Sequence, residues 1–319
     1  MSEGVALLTH KILIWYKRLG KREVKAMVQH KGVMVPMITP FQENGDVDEK
    51  ALKELTHYLI EKGVDSLFPA GSTGEGWSLS GSERQRIFEI VVKESRGRVP
   101  VYGGTGAVST RESIQLAKIA EETGCNGMVM ITPYYIVPKA DELFDHFRAI
   151  AGAVRIPVIP YNNPARAVVS LPPELVTRLS YVPNIVGLKD SGGNLGLHMR
   201  FINETKAGFS VFQGRDDLFY SSLDLGAVGI VAATANVAPD IVVRLYETFV
   251  GGDRKASLQA QMKVARIRFA LELGSFPNVL KEAMEMIGIK AGPTRAPVGK
   301  LSQEGREKLW AILKEIGLL

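Results

Sequence analysis

Eight short apolar runs, each followed by a longer amphipathic stretch, limit what this chain can fold into more than any other feature of its sequence. The runs are VMVPMI (33–38), DSLFPAG (65–71), VPVYGG (99–104), GMVMIT (127–132), IPVIPY (156–161), NIVGLK (184–189), FSVFQG (209–214) and VGIVAAT (228–234). They are β-rich and bounded by Gly, Pro or Asn. Near-continuous apolarity is expected of parallel strands buried on both faces. Helical patterns fill the intervals at 48–62, 82–95, 109–123, 140–153, 172–180, 194–206, 216–225 and 239–250. Ser109 followed by Glu112 fits a capping box, and Gly124 supplies the stop. Eight β-α units within about 215 residues point to an α/β fold of the (β/α)8 barrel type. An open doubly wound sheet needs a phosphate-binding glycine turn after its first strand, and ITPFQENGD (38–46) has none.

After Gly251-Gly252 the β pattern stops, and 253–273, 277–288 and 302–317 read as three further helices. The expected organisation is a basic N-terminal extension (1–31), the barrel (32–252) and a C-terminal helical region (253–319). Composition agrees with one large globular body: 319 residues, 45 % hydrophobic and 23 % charged, are neither disordered nor fibrous in character. The pI near 9.1 raises nucleic-acid binding as a class. The first 32 residues, however, hold seven Lys or Arg and two Asp or Glu, and the remainder holds 32 of each. The basic excess is therefore confined to the extension, and no nucleic-acid partner is expected. Removal of residues 1–26 is expected to leave catalysis intact.

The single cysteine, Cys125, can form no intrachain disulfide and reads as a buried thiol. No apolar run reaches the roughly 18 residues of a membrane span. The stretch 5–15 is broken by Thr9, His10 and Lys11 without a small-residue cleavage site, so the expected location is the cytoplasm. The five histidines (His10, His30, His57, His146, His198) lack HxH or HExxH spacing, so no metal is expected. Gly103-Gly104-Thr105-Gly106 lacks the third spaced glycine of a dinucleotide fingerprint.

Catalytic residues of such barrels lie at the C-terminal ends of strands and in the loops that follow. This rule selects Ser72, Thr73 and Glu75 after strand 2, Tyr134 and Tyr135 after strand 4, Tyr161 to Arg166 after strand 5, Lys189 and Asp190 on strand 6, and Gly214 to Asp217 after strand 7. Lys189 is the most telling. A desolvated lysine loses proton affinity and becomes a nucleophile towards carbonyls; the competing reading pairs it with Asp190. Tyr161 can shuttle protons or simply pack at the barrel mouth. Ser72 and Thr73, set among glycines, can bind a carboxylate, and Glu75 reads as a brace for that loop. Arg166 can hold a second carboxylate through its planar fork, or serve as a surface or subunit contact.

The motifs GSTGEG (71–76), TPYY (132–135), YNNPAR (161–166), GLKDS (187–191) and TANVAP (234–239) together resemble the dihydrodipicolinate synthase / N-acetylneuraminate lyase family, in order and at similar spacing over 32–319. The resemblance implies a (β/α)8 barrel with a C-terminal helical region, usually a homotetramer built as a dimer of dimers. It implies a class I lyase that condenses pyruvate with an aldehyde through a covalent lysine imine and needs no other cofactor. On this basis Lys189 forms the Schiff base and Tyr161 transfers protons. Thr73 holds the pyruvate carboxylate, and Ser72 occupies the relay position where Thr is usual. Tyr135 crosses the tight dimer interface to complete the partner's relay. Arg166 receives the carboxylate of aspartate semialdehyde, and Val231 beside Gly214 lines the pyruvate pocket. The synthase branch serves lysine biosynthesis.

Two features depart from that branch. The synthases usually continue Arg-Thr-Gly, whereas this chain has Arg166-Ala167-Val168. Ser72 and the Gly214-x-Asp216-Asp217 pattern resemble the sugar-acid lyases, in which acids near strand 7, here Asp216, hold substrate hydroxyls. The alternatives are thus a 2-keto-3-deoxy sugar-acid aldolase or dehydratase and, in a different class, a non-catalytic keto-acid-binding protein. Val108 stands where feedback-inhibited synthases commonly carry Asn, so lysine inhibition is not expected.

Overall fold

The computed structural model describes residues 30–319; the basic extension read over 1–31 lies, except for its last two residues, outside them. Eight strands follow one another along the chain: β1 (Gly32–Pro36), β2 (Ser66–Phe68), β3 (Tyr102–Gly104), β4 (Gly127–Ile131), β5 (Val158–Asn162), β6 (Gly187–Asp190), β7 (Ser210–Gln213) and β8 (Gly229–Val231). They pair in parallel in the order β2-β1-β8-β7-β6-β5-β4-β3. The ring closes through a parallel bridge between Leu67 and Val101, with the Gly104 N–H donating to the Pro69 carbonyl at 2.9 Å. The expected (β/α)8 barrel is the fold observed.

The helices between strands are α1 (Glu49–Glu61), α2 (Gly81–Ser95), α3 (Thr110–Glu122), α4 (Ala140–Ala153), α5 (Pro164–Ala167), α6 (Pro173–Ser180), α7 (Leu195–Glu204), α8 (Phe219–Asp224) and α9 (Pro239–Val250). Their starts are chemically marked. Asp48 accepts from the Ala51 N–H at 3.0 Å, Ser80 and Glu83 form a reciprocal capping box, and Ser109 accepts from the Glu112 N–H at 3.2 Å. The short α5 and the 3-10 turns at Gly76–Ser78, Asp216–Leu218 and Ala233–Asn236 escape a sequence reading, because four residues or fewer show no helical period. The stretch read as one helix at 216–225 is consequently a 3-10 turn followed by α8.

Strand alternation sorts side chains into two layers. Val158, Leu188 and Val211 point outward into the layer under the helices. Ile159, Tyr161 and Phe212 point inward with Met34, Phe68 and Val231. On β6, Lys189 follows outward-facing Leu188 and therefore faces the barrel interior.

The chain ends with α10 (Arg254–Ala270), α11 (Asn278–Met286) and α12 (Gln303–Glu315). Val264, Leu280, Met284 and Leu309 of these helices share one apolar core with Val33, Leu52 and Ile230 of the barrel. No helix among the described residues is long and apolar enough to cross a membrane.

Candidate active site

β5 and β6 pair with Tyr161 opposite Lys189. Lys189 is 4 % exposed, and its Nζ lies 3.9 Å from the centroid of the Tyr161 ring and 5.1 Å from that of Phe68. Ring faces attract a cation without neutralising it. Asp190 points to the opposite side of the strand, where its Oδ2 meets His198 Nδ1 at 2.9 Å. Its Oδ1 accepts from Asn162 Nδ2 at 2.8 Å and from the Gly192 N–H at 2.9 Å. The reading that pairs Lys189 with Asp190 therefore fails on strand geometry.

Gly214 makes room for the lysine: a Cβ there would lie 2.2 Å from Ser191 Oγ and 3.0 Å from Lys189 Cε. Burial by itself would raise the Tyr161 phenol. The charge of Lys189 and hydrogen bonding at the phenolic oxygen, including the Asn163 Nδ2 donor at 2.6 Å, outweigh it and hold the phenol below its usual value. Such a phenol gives up its proton more readily than an isolated tyrosine.

The loop after β2 is built by close backbone approach. A Cβ at Gly76 would sit 2.3 Å from the Ala70 carbonyl oxygen, and one at Gly74 would sit 2.8 Å from that of Met37. Thr39 Oγ1 donates to the Gly74 carbonyl at 2.7 Å, and the buried Arg84 donates to the Gly76 carbonyl at 2.5 Å. Thr73 is buried and Ser72 half-buried within this loop. Glu75 is fully buried and pairs with Lys281 of α11 at 2.7 Å. It braces the loop as the sequence led us to expect.

Tyr161 and Phe68, the two rings that flank Lys189, line a cavity of about 210 Å³ whose wall also includes Ser72, Arg166, Trp77, Arg84, Tyr134 and Phe276. The Arg166 guanidinium stacks 4.7 Å from the centroid of Phe276. Gly214 is in reach of Lys189, and Val231 packs in the same inner layer as Tyr161 and Phe68.

Six expected residues are not part of this wall: Lys189, Thr73, Gly214 and Val231, placed above, and Tyr135 and Asp216. Tyr135 is 92 % exposed, with φ of +75°, and does not line its own chain's cavity. Asp216 is buried with one carboxylate oxygen accepting from the Thr234 N–H at 2.8 Å and from Thr234 Oγ1 at 2.7 Å. Burial raises its proton affinity, against the pull of these donors. Asp217 is bound by Arg215 at 3.0 Å. The sequence reading missed Phe276, Arg84 and Trp77 as wall residues. Phe276 comes from the C-terminal region, and Arg84 sits in the first turn of α2, where a basic residue reads as a solvated one.

A buried lysine without an acidic partner among the described residues, beside a perturbed phenol that lines a cavity with two arginines at the C-terminal ends of the strands, defines a lyase barrel of the lysine-dependent, keto-acid kind. The chain belongs to the dihydrodipicolinate synthetase family, whose sequence profile matches residues 29–316. It is 38 % identical over 293 residues to a 4-hydroxy-tetrahydrodipicolinate synthase of Methanopyrus kandleri, covering 91 % of this chain and 98 % of that relative. A crystal structure of a dihydrodipicolinate synthase of Bacillus anthracis superposes with a TM-score of 0.88 at 32 % identity, over 90 % of this chain and 99 % of that one. The chloride-inhibited dihydrodipicolinate synthase of Acinetobacter baumannii, complexed with pyruvate, also gives 0.88, at 34 % identity over 91 % and 99 % of the two chains.

Proposed function

We propose that the protein condenses pyruvate, held as an imine on Lys189, with aspartate semialdehyde. The neutral amine of Lys189 attacks the ketone carbon, and loss of water leaves an iminium. The iminium withdraws electrons, so a methyl proton departs and an enamine forms. The enamine carbon attacks the aldehyde, which takes up a proton, and the iminium returns; attack on its carbon by water or by the amine of the bound aspartate semialdehyde then displaces the Lys189 amine and frees the product. Tyr161 moves protons to and from the carbinolamine, Ser72 relays them, and Thr73 with its neighbouring backbone holds the pyruvate carboxylate. Gly214 and Val231 shape the pyruvate end. The chemistry as written uses no cofactor beyond the covalent imine.

One observation carries the choice of second substrate. The charged side chains of the cavity wall are both arginines: Arg84, spent on the Gly76, Gly104 and Gly106 carbonyls, and Arg166, which stacks on Phe276. The strand-7 acids that would hold sugar hydroxyls are already committed, Asp216 to Thr234 and Asp217 to Arg215. That charge pattern favours a carboxylate-bearing aldehyde over a polyhydroxylated one. The high exposure and left-handed backbone of Tyr135 support its action in a second subunit, which makes a dimer the working unit in the cytoplasm.

The test is a panel of aldehydes with pyruvate held constant. Turnover is expected with aspartate semialdehyde. Turnover only with polyhydroxylated aldehydes, giving keto-deoxy sugar acids, would overturn the assignment in favour of the sugar-acid reading, and binding without turnover would point to a non-catalytic protein.

A further inference from the structure

Two lysines are buried among the described residues, Lys189 and Lys281, the latter 2 % exposed. Lys281 lies outside the barrel, on α11. Its Nζ is 2.7 Å from Glu75 Oε1, donates to the Pro293 carbonyl at 2.7 Å, and sits 4.3 Å from the centroid of the Phe41 ring. The other oxygen of Glu75 accepts from the Arg295 N–H at 2.9 Å. The Arg295 guanidinium caps the same Phe41 ring and pairs with Glu83 of α2. One charge, that of Lys281, and one backbone N–H, that of Arg295, thus meet the two carboxylate oxygens of Glu75, whose backbone is left-handed at φ +53°.

That residue closes the loop carrying Ser72 and Thr73. The Glu75 N–H donates to the Ser72 carbonyl at 3.3 Å, and the Gly76 N–H donates to the Gly71 carbonyl at 3.0 Å. Thr39 and Arg84 hold the same loop at Gly74 and Gly76. A buried ion pair is a weak way to add stability, because an apolar pair of equal volume does as well. Its value lies in fixing geometry, since a buried carboxylate has few places where its charge is met.

We propose that Lys281 is a positioning residue for the reaction: its charge, acting through Glu75, sets the Ser72–Thr73 hydroxyls where they hold the keto-acid carboxylate. The C-terminal helices are then part of substrate binding. This inference rests on the reading of that loop given under the proposed function. The charge is finely held. Burial pushes Lys281 down to about 8, with Arg295 adding to the fall and Glu75 and Glu285 opposing it.

The experiment compares wild type with Lys281→Met, Glu75→Gln and the double variant, reading melting temperature, KM for pyruvate and borohydride trapping of pyruvate. Each single variant strands a buried charge and is expected to lose folded protein. The double variant removes both charges while Gln keeps an acceptor for the Arg295 N–H, so it is expected to melt close to wild type. Its KM for pyruvate is expected to rise ~10-fold or more, with the KM for the aldehyde little changed. A purely structural pair would leave the pyruvate KM of the folded double variant at the wild-type value, and that result overturns the inference. Failure of wild type to trap pyruvate at all would instead overturn the reading of the site.

Discussion

Gly214→Ala gives a direct test of how tightly Lys189 is held. The backbone of Gly214 does not occupy the left-handed region, so conformation alone would accept alanine there. Space would not. The new methyl would lie 2.2 Å from Ser191 Oγ, 3.0 Å from Lys189 Cε and 3.3 Å from the Asp190 carbonyl oxygen. The serine hydroxyl can swing aside, but the lysine stem and the strand backbone must yield. Overpacking of this kind costs about 1–3 kcal/mol, or about 1.5–4.5 °C in melting temperature for a chain of this size. The chemical effect is expected to be larger, because a displacement of about 1 Å at a reacting group costs ~100-fold in rate.

The assay is the rate at which borohydride traps pyruvate on the protein, alongside kcat with both substrates. Gly152→Ala serves as the control: Gly152 lies exposed on α4 with nothing within 4 Å of a new Cβ. The control is expected to trap and turn over at the wild-type rate. If Gly214→Ala does so as well, the claim that this glycine positions the lysine is refuted.

At the mouth, Arg166→Ala is expected to raise the KM for aspartate semialdehyde ~10–100-fold, through loss of a charged hydrogen bond, while imine formation with pyruvate is unchanged. Parallel loss of both would refute a role confined to the second substrate. Phe276→Leu removes the face on which Arg166 stacks, worth about 0.5–1 kcal/mol at an exposed site, and is expected to raise the same KM about 2–5-fold. An unchanged value would remove Phe276 from the account. Glu83 is held at about 2, against an ordinary 4.5, by its hydrogen bond to Arg295 and the Ser80 N–H, with burial opposing. Its folded value is depressed, so its contribution to stability is complete above about 4.5 and fades as the pH falls towards 2. Glu83→Gln keeps the helix cap but not the charge, and is expected to show a shallower fall in melting temperature across that window. Equal slopes would refute the assignment.

Much of this architecture was legible because it is written locally. Each strand is a short apolar run with its own boundary residues, and alternation along β6 already turns Lys189 inward once Leu188 is placed outward. Asp216 shows where the sequence reading stops. Its type and spacing match an acid that holds hydroxyls, but Thr234, eighteen positions later, supplies both donors that occupy it. Asp190 was open to pairing with its neighbour Lys189, and only the fold brings His198 and Asn162 to its other face. Phe276, Arg84 and Lys281 reach the site from outside the strand-end motifs. No local pattern marks them, because their meaning lies in contacts with the loops after β2 and β5.

The central claim is that Lys189 carries the chemistry. Its most direct test is peptide mass spectrometry of the protein treated with borohydride in the presence of pyruvate. The account predicts that the peptide containing Lys189 gains the mass of a reduced pyruvate adduct, and that no other lysine does. No adduct, or one on Lys281 or any other lysine, would contradict it.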